Sequence, residues 1–236
     1  MIGMFGMEIF KMTTGDLLLT GQTESHTHLF QASFRVHQEL IKPLRALEAE
    51  ARNAGFQFQV VSAYRSFQKQ VDIWNAKTEG KLPVLDEQGV PLSTDKLSSH
   101  ELMEAILKWS ALPGTSRHHW GTDLDVIDGA GLKEGERVRL VPEEFSGNGP
   151  FAALHLWLDQ HLSRFGFFRP YRTDRGGVSP ERWHISYAPL AEKFLEQLSE
   201  EKVAQALENS TLILKKEALQ NLGSIFETYV KNIDPV

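Results

Sequence analysis

Two segments of this chain carry residue types that can do metal chemistry: Ser116-Arg117-His118-His119-Trp120-Gly121-Thr122-Asp123-Leu124-Asp125, and further along Glu181-Arg182-Trp183-His184. Two imidazoles and a carboxylate, His118, His184 and Asp125, are enough to hold one Zn2+ per chain and leave its fourth position open. An open position separates a catalytic zinc from a structural one, because water bound there has its pKa lowered to about 7. Glu181 stands three residues before His184, within reach of that water's proton. The pattern points to hydrolysis. Taken alone, His118 and Asp125 are more often a surface hydrogen-bonded couple, and it is the second segment that makes a ligand set of them.

Three stretches, occurring in the same order, resemble the signatures of the VanY-type D-alanyl-D-alanine carboxypeptidases, zinc peptidases related to the vancomycin-resistance D,D-peptidases. They are Ser62-Ala63-Tyr64-Arg65-Ser66-x-x-x-Gln70, Ser116-x-His118-x-x-Gly121-x-x-x-Asp125 and Glu181-x-Trp183-His184. The resemblance spans roughly residues 40–187. It implies zinc held by His118, Asp125 and His184, with Glu181 as general base and then acid. Arg65 would stabilise the charge that tetrahedral attack puts on the carbonyl oxygen, and Ser116, Gln70 and Tyr64 would line the substrate site. The implied substrate is a peptidoglycan-derived peptide that loses a terminal D-Ala. An L,D-carboxypeptidase or a cell-wall endopeptidase would use the same zinc machinery, and a non-catalytic relative would only bind muropeptide. The implied fold is α+β, Hedgehog/D,D-peptidase-like, a small and mostly antiparallel sheet flanked by helices.

The chain departs from the family pattern in places. Asp123 stands where the family commonly has Ala, on the same strand face as Asp125, with roles open to it in tuning zinc or touching substrate. Arg182 replaces a frequent Pro, and Ala63 a Gly. Glu181 has a second role open to it, as partner to a ligand imidazole. Arg65 could instead pair with a surface carboxylate, and Ser116 or Gln70 could be capping residues. Trp183 reads as a packing element, and His119, next to a ligand, as a structural residue pointing the other way. His26, His28, His37, His100, His155 and His161 match no motif. A carboxypeptidase also needs a cation for the terminal carboxylate, for which Arg117, Arg172 and Arg175 are the candidates.

With 236 residues and 41% apolar composition the chain can bury a proper core. A net charge of −6, with no Lys/Arg-rich patch, argues against nucleic acid or an anionic membrane as main partner. No run of 18 apolar residues is present, so no membrane span is expected. Cysteine is absent, which excludes disulfides, thiolate zinc sites and cysteine nucleophiles. Met1–Lys11 lacks a basic segment ahead of its apolar run, and Glu8 interrupts that run, so a secretory signal is not expected in the chain as given. That reads as cytoplasmic, or as periplasmic or cell-envelope if a signal has been trimmed. The oligomeric state is not legible.

The positioning elements read as follows. Residues 1–39 form an N-terminal segment, polar and irregular over 16–28. Residues 40–190 form the catalytic domain, and 191–236 a C-terminal helical extension. Pro43 opens a helix with Leu44, Leu47 and Ala51 on one face, leaving at Gly55. Phe56–Ser62 alternates as a strand and delivers Tyr64 and Arg65 at its end. A helix follows over Phe67–Thr78, then a loop over 79–97 that could border a cleft. Ser98-x-x-Glu101 has capping-box spacing, with Leu102, Ile106 and Trp109 on one face. Thr122–Ile127 reads as a strand with Asp123, Asp125 and Ile127 on one side. Pro150 opens a helix closed at Gly166, and Arg182–Tyr187 is the strand carrying His184.

Overall fold

The computed structural model describes residues 12–31 and 33–236, so Met1–Lys11, read above for a secretory signal, lie outside the described residues. Four antiparallel strands make the sheet that matters here: β3 (Phe58–Ser62), β4 (Asp123–Asp128), β5 (Phe167–Phe168) and β6 (His184–Tyr187), in the spatial order β3-β4-β6-β5. This is the α+β architecture with a small antiparallel sheet that the signatures imply. A second, two-stranded sheet pairs β1 (Thr27–Phe30) with β2 (Phe34–His37).

Period-two alternation gives the main sheet two faces with different work. Leu124, Val126 and Ile185 point into one core together with Phe58 and Val60. That face is covered by α2 (Ile41–Asn53), through Leu44, Leu47 and Ala51, and by α5 (Ala152–His161), through Leu154 and Leu158. Each such buried Leu contributes roughly 1.5–3 kcal/mol. Asp123, Asp125, His184 and Ser186 occupy the intervening positions and face the other way.

On that other side stand α3 (Phe67–Thr78) and α4 (Ser99–Leu107), preceded respectively by Ser66, whose hydroxyl caps Lys69 N, and by the Ser98–Glu101 capping box. Phe67, Val71 and Trp74 of α3 share a core with Met103 and Ile106 of α4. The C-terminal helices join the same core: α6 (Ala188–Gln197) contributes Ala191, α7 (Glu200–Glu208) Val203 and Leu207, and the last turns Ile225 and Phe226. Trp74 Nε1 donates to Ile213 O at 3.0 Å, and Asn75 Oδ1 accepts from Ile213 N at 2.9 Å. The C-terminal segment is thereby fastened to α3.

The sequence reading misses structure near the N-terminus. Residues 16–28 are not irregular throughout: α1 (Thr14–Leu19) has a full Thr13–Asp16 capping box, and β1 begins at Thr27. Trp109 also leaves the line of α4, which ends at Leu107; its ring stacks on Trp183 instead. Residues 79–97 fold back on themselves through a bridge between Leu85 and Pro91, and Trp109 Nε1 ties the fold to Asp86 O at 2.8 Å.

Candidate metal centre and active site

The strand register brings Asp125 and His184 together. They face each other across β4 and β6, as Asp123 faces Ser186, and directly opposed residues have Cβ atoms about 4.5–5.5 Å apart. His118 arrives from a 3-10 turn, Arg117–Trp120, that leads into β4. Gly121 closes this turn at φ 67°, the left-handed region, and a Cβ there would lie 2.8 Å from His37 N. The motif glycine is therefore required twice, by its backbone angle and by the β2 backbone against it. Gly121 O also accepts from His37 N at 2.8 Å, which clamps the turn to β2.

The donor atoms of His118, Asp125 and His184 lie within 4.8 Å of one another, and all three residues are buried. His118 Nδ1 meets Ala63 O at 2.9 Å, so its proton sits there and Nε2 is left facing Asp125 Oδ2 at 3.5 Å. His184 is oriented the opposite way. Its Nε2 meets Asp123 Oδ1 at 2.9 Å, and Nδ1 faces Asp125 Oδ1 at 3.6 Å and Glu181 Oε2 at 3.1 Å. Asp125 Oδ1 is buried without a hydrogen-bond partner. Two imidazole nitrogens and an orphaned carboxylate oxygen converging on one point are a donor set that fits a zinc ion once His184 Nδ1 gives up its proton.

Electrostatics agree. Burial drives the His118 pKa well below 6.5, with Arg65 and His184 adding to the effect, so its imidazole is neutral. Burial raises Asp125 to about 6. For His184 burial works downward, but its hydrogen bonds to Asp123 and Glu181 outweigh it and lift the imidazole to about 9. The metal-free centre thus holds a proton where a cation belongs.

Behind the ligands, Asp123 is fully buried. Burial opposes its ionisation, yet Arg117 and His184 hold its carboxyl far below the usual range. Arg117 Nε donates to Asp123 Oδ1 at 2.8 Å and Nη2 to Ser186 Oγ at 2.7 Å. Arg117, Asp123 and His184 form a chain that fixes the His184 tautomer, the arrangement by which a carboxylate orients a metal-binding imidazole. Asp123 is outside the ligand set and absent from the cavity lining.

In front of the ligands lies a cavity of about 200 Å³ lined by Arg65, Ser116, His118, Asp125, Glu181, His184 and, among others, Tyr171 and Lys77. Arg65 Nη1 donates to Gln70 Oε1 at 2.9 Å and Nη2 to Ser62 Oγ at 3.2 Å, so the guanidinium is held by neutral groups and keeps its charge for the cavity. Gln70 in turn donates to Ala111 O at 2.7 Å and is wholly buried, so it positions Arg65 and is absent from the cavity lining. Tyr64 is also absent from the lining. Its hydroxyl donates to Thr23 O at 3.0 Å and fastens the N-terminal segment. His119 Nδ1 donates to Arg65 O at 2.7 Å, while Nε2 accepts from Gly114 N at 3.1 Å. It points away from the cavity and pins the Arg65 backbone. Trp183 is buried against Ile127, Phe145 and Phe151 and shows one edge to the cavity.

Of the three arginines read as carboxylate candidates, Arg117 lines the cavity, and its Nη1 is buried without a hydrogen-bond partner. Arg117 is locked to Asp123, Arg172 lies near Asp234, and Arg175 donates to Asn232. Arg172 and Arg175 do not reach the cavity. Tyr171, whose ring stands edge-on to His184 at 5.1 Å, and Lys77 carry no motif that would have singled them out. They come from a loop and from the far end of α3.

A buried His-Asp-His donor set, with a carboxylate and a guanidinium facing the same cavity, defines a zinc hydrolase. The profile of the VanY D-alanyl-D-alanine carboxypeptidases matches residues 33–190, and the chain belongs to that family. An uncharacterised Haemophilus influenzae protein is 35% identical over 121 residues, 50% of this chain and 92% of that one. A D-alanyl-D-alanine carboxypeptidase of Enterococcus faecalis is 31% identical over 150 residues, 62% of this chain and 46% of that one. The crystal structure of a vancomycin-resistance D,D-pentapeptidase variant, VanY from a VanB-type cassette in complex with Zn(II), aligns with TM-score 0.50. Identity is 27%, over 75% of this chain and 88% of that one. VanYB in complex with D-Ala-D-Ala aligns with TM-score 0.50 and 26% identity, over 78% of this chain and 89% of that one.

Proposed function

We propose that this chain is a zinc-dependent carboxypeptidase that removes the terminal D-Ala from peptidoglycan peptides ending in D-Ala-D-Ala, with His118, Asp125 and His184 holding the metal. The observation that carries this reading is the convergence of His118 Nε2, Asp125 and His184 Nδ1 beside Glu181, at the floor of the cavity that Arg65 faces. Zinc bound there supplies a Lewis acid and brings the pKa of water down to about 7.

The chain's own groups do the rest. Glu181, its Oε2 3.1 Å from His184 Nδ1, stands beside the ligand position. It takes the proton from the attacking water and returns it to the departing amine, a role worth about 10²–10⁴-fold. Arg65, fixed by Gln70 and Ser62, balances the charge that develops on the carbonyl oxygen, worth about 10²–10³-fold. Asp123 keeps the His184 proton on Nε2 throughout.

Digestion of defined muropeptides, with products weighed by mass spectrometry, tests the reading. Loss of a single D-Ala from a pentapeptide, abolished by a chelator and restored by zinc, is expected. Loss of the terminal residue from a tetrapeptide alone would make it an L,D-carboxypeptidase, cleavage within cross-links an endopeptidase, and no cleavage with zinc bound a binding protein.

A further inference from the structure

Four cationic side chains line the cavity: Arg65, Lys77, Arg117 and Arg139. Three have partners. Arg65 bonds Gln70 and Ser62, Arg117 bonds Asp123 and Ser186 through Nε and Nη2 and leaves only Nη1 buried without a partner, and Arg139 approaches Glu143 and Glu144, each at 3.5 Å. Lys77, from the last turn of α3, makes no hydrogen bond or ion pair among the described residues. Burial lowers its pKa to about 8, with the Glu181 carboxylate opposing the shift and Arg65 adding to it, so at neutral pH the ammonium remains charged. An ammonium taken part-way out of water without a counter-charge is costly, and an anionic group of a bound ligand would offset that cost.

Resting on the carboxypeptidase reading above, we propose that Lys77 Nζ pairs with the α-carboxylate of the substrate's C-terminal residue, and so sets this chain's preference for chain ends over internal bonds. Arg65 and Lys77 face the same cavity, Arg65 from the connection between β3 and α3 and Lys77 from the last turn of α3. The substrate offers two matching groups one residue apart, the scissile carbonyl oxygen for Arg65 and the terminal carboxylate for Lys77. A charge-assisted bond of this kind contributes about 1.5–3 kcal/mol, or roughly 10- to 100-fold in affinity.

The test compares an N-acylated peptide ending in D-Ala-D-Ala as the free acid with the same peptide as its C-terminal amide. The wild-type zinc protein should cleave the acid in preference. K77M should lose about 10- to 100-fold in kcat/KM on the acid, mainly through KM, with little change on the amide and with zinc content intact. K77R should restore the preference, and K77Q gives the same readout as K77M should the latter not fold. A neutral variant that keeps the wild-type acid-to-amide ratio, or a wild type that cleaves both peptides equally, overturns the assignment of Lys77 alone. A wild type that cleaves neither overturns the carboxypeptidase reading, and the Lys77 assignment with it.

Discussion

Asp123 acts through the imidazole it touches, from behind the ligand set. A carboxylate buried behind His184, compensated by Arg117, does not add a fourth ligand; it sets which nitrogen of the imidazole bears the proton. Asp123→Asn keeps the shape but removes the charge that Arg117 and His184 share. Zinc affinity is expected to fall about 10- to 100-fold, measured by competition with a chromophoric chelator, and an unchanged affinity would mean that Asp123 only packs. Glu181 has the opposite expectation. Its carboxylate lies beside the ligand position without belonging to the ligand set, so Glu181→Ala should retain stoichiometric zinc and lose about 10²–10⁴-fold in kcat on a D-Ala-terminated peptide. The only other carboxylate among the described residues lining the cavity is Asp125, a ligand. An active Glu181→Ala protein would therefore leave no second free carboxylate of the cavity to act as base.

At the scale of elements, the parts legible in the sequence are those whose cause is local. The β4 alternation, with Leu124 and Val126 to the core and Asp123 and Asp125 to the site, is written in the residues themselves. So is α3, which runs over Phe67–Thr78, the span read for it. What the sequence hides is whatever a distant backbone decides. The β1–β2 pair is short, four residues a strand, and it is held by contacts such as His37 N to Gly121 O that no local pattern announces. Tyr64 sits inside a signature segment, yet its hydroxyl is claimed by the carbonyl of Thr23, some forty residues earlier. Lys77 is one lysine among many until the fold of α3 places it in the cavity lining. Gly121 joins these two levels, because its left-handed angle is local and the His37 backbone against it is not. Gly121→Ala should lose roughly 1–3 kcal/mol of stability and weaken zinc binding in parallel, since the turn carries His118. Chemical denaturation of the metal-free protein isolates the first effect. A midpoint within error of the parent would show that the turn relaxes freely.

At the scale of the whole molecule, the metal centre ties together two distant stretches of the chain: the turn of His118 with β4 after it, and β6. Anything that binds only the folded state stabilises it by mass action, so stripping zinc with a chelator should lower Tm, and zinc should restore it. The size of that gap depends on pH with a definite sign. In the metal-free fold His184 titrates at about 9, above the 6.5 of an unfolded histidine. Its contribution to apo stability is fully present below pH 6.5 and is lost as pH rises towards 9. Zinc must displace that same proton, so its affinity rises by about tenfold per pH unit over the same range, or about 1.4 kcal/mol. His118 adds nothing, being neutral already. Lys77, at about 8, still carries its charge over most of the interval from pH 6.5 to 8. The apo protein therefore loses stability across this interval while zinc binds more tightly, and the Tm difference between zinc-loaded and metal-free protein should widen steadily from pH 6.5 to 8. Below about pH 6, Asp125 takes up a second proton, and the metal dependence should steepen towards about two protons per zinc. Calorimetric melts at fixed free zinc across pH 5 to 8 measure both slopes. A gap that stays constant or narrows with rising pH would show that His184 is not the residue whose proton the metal displaces.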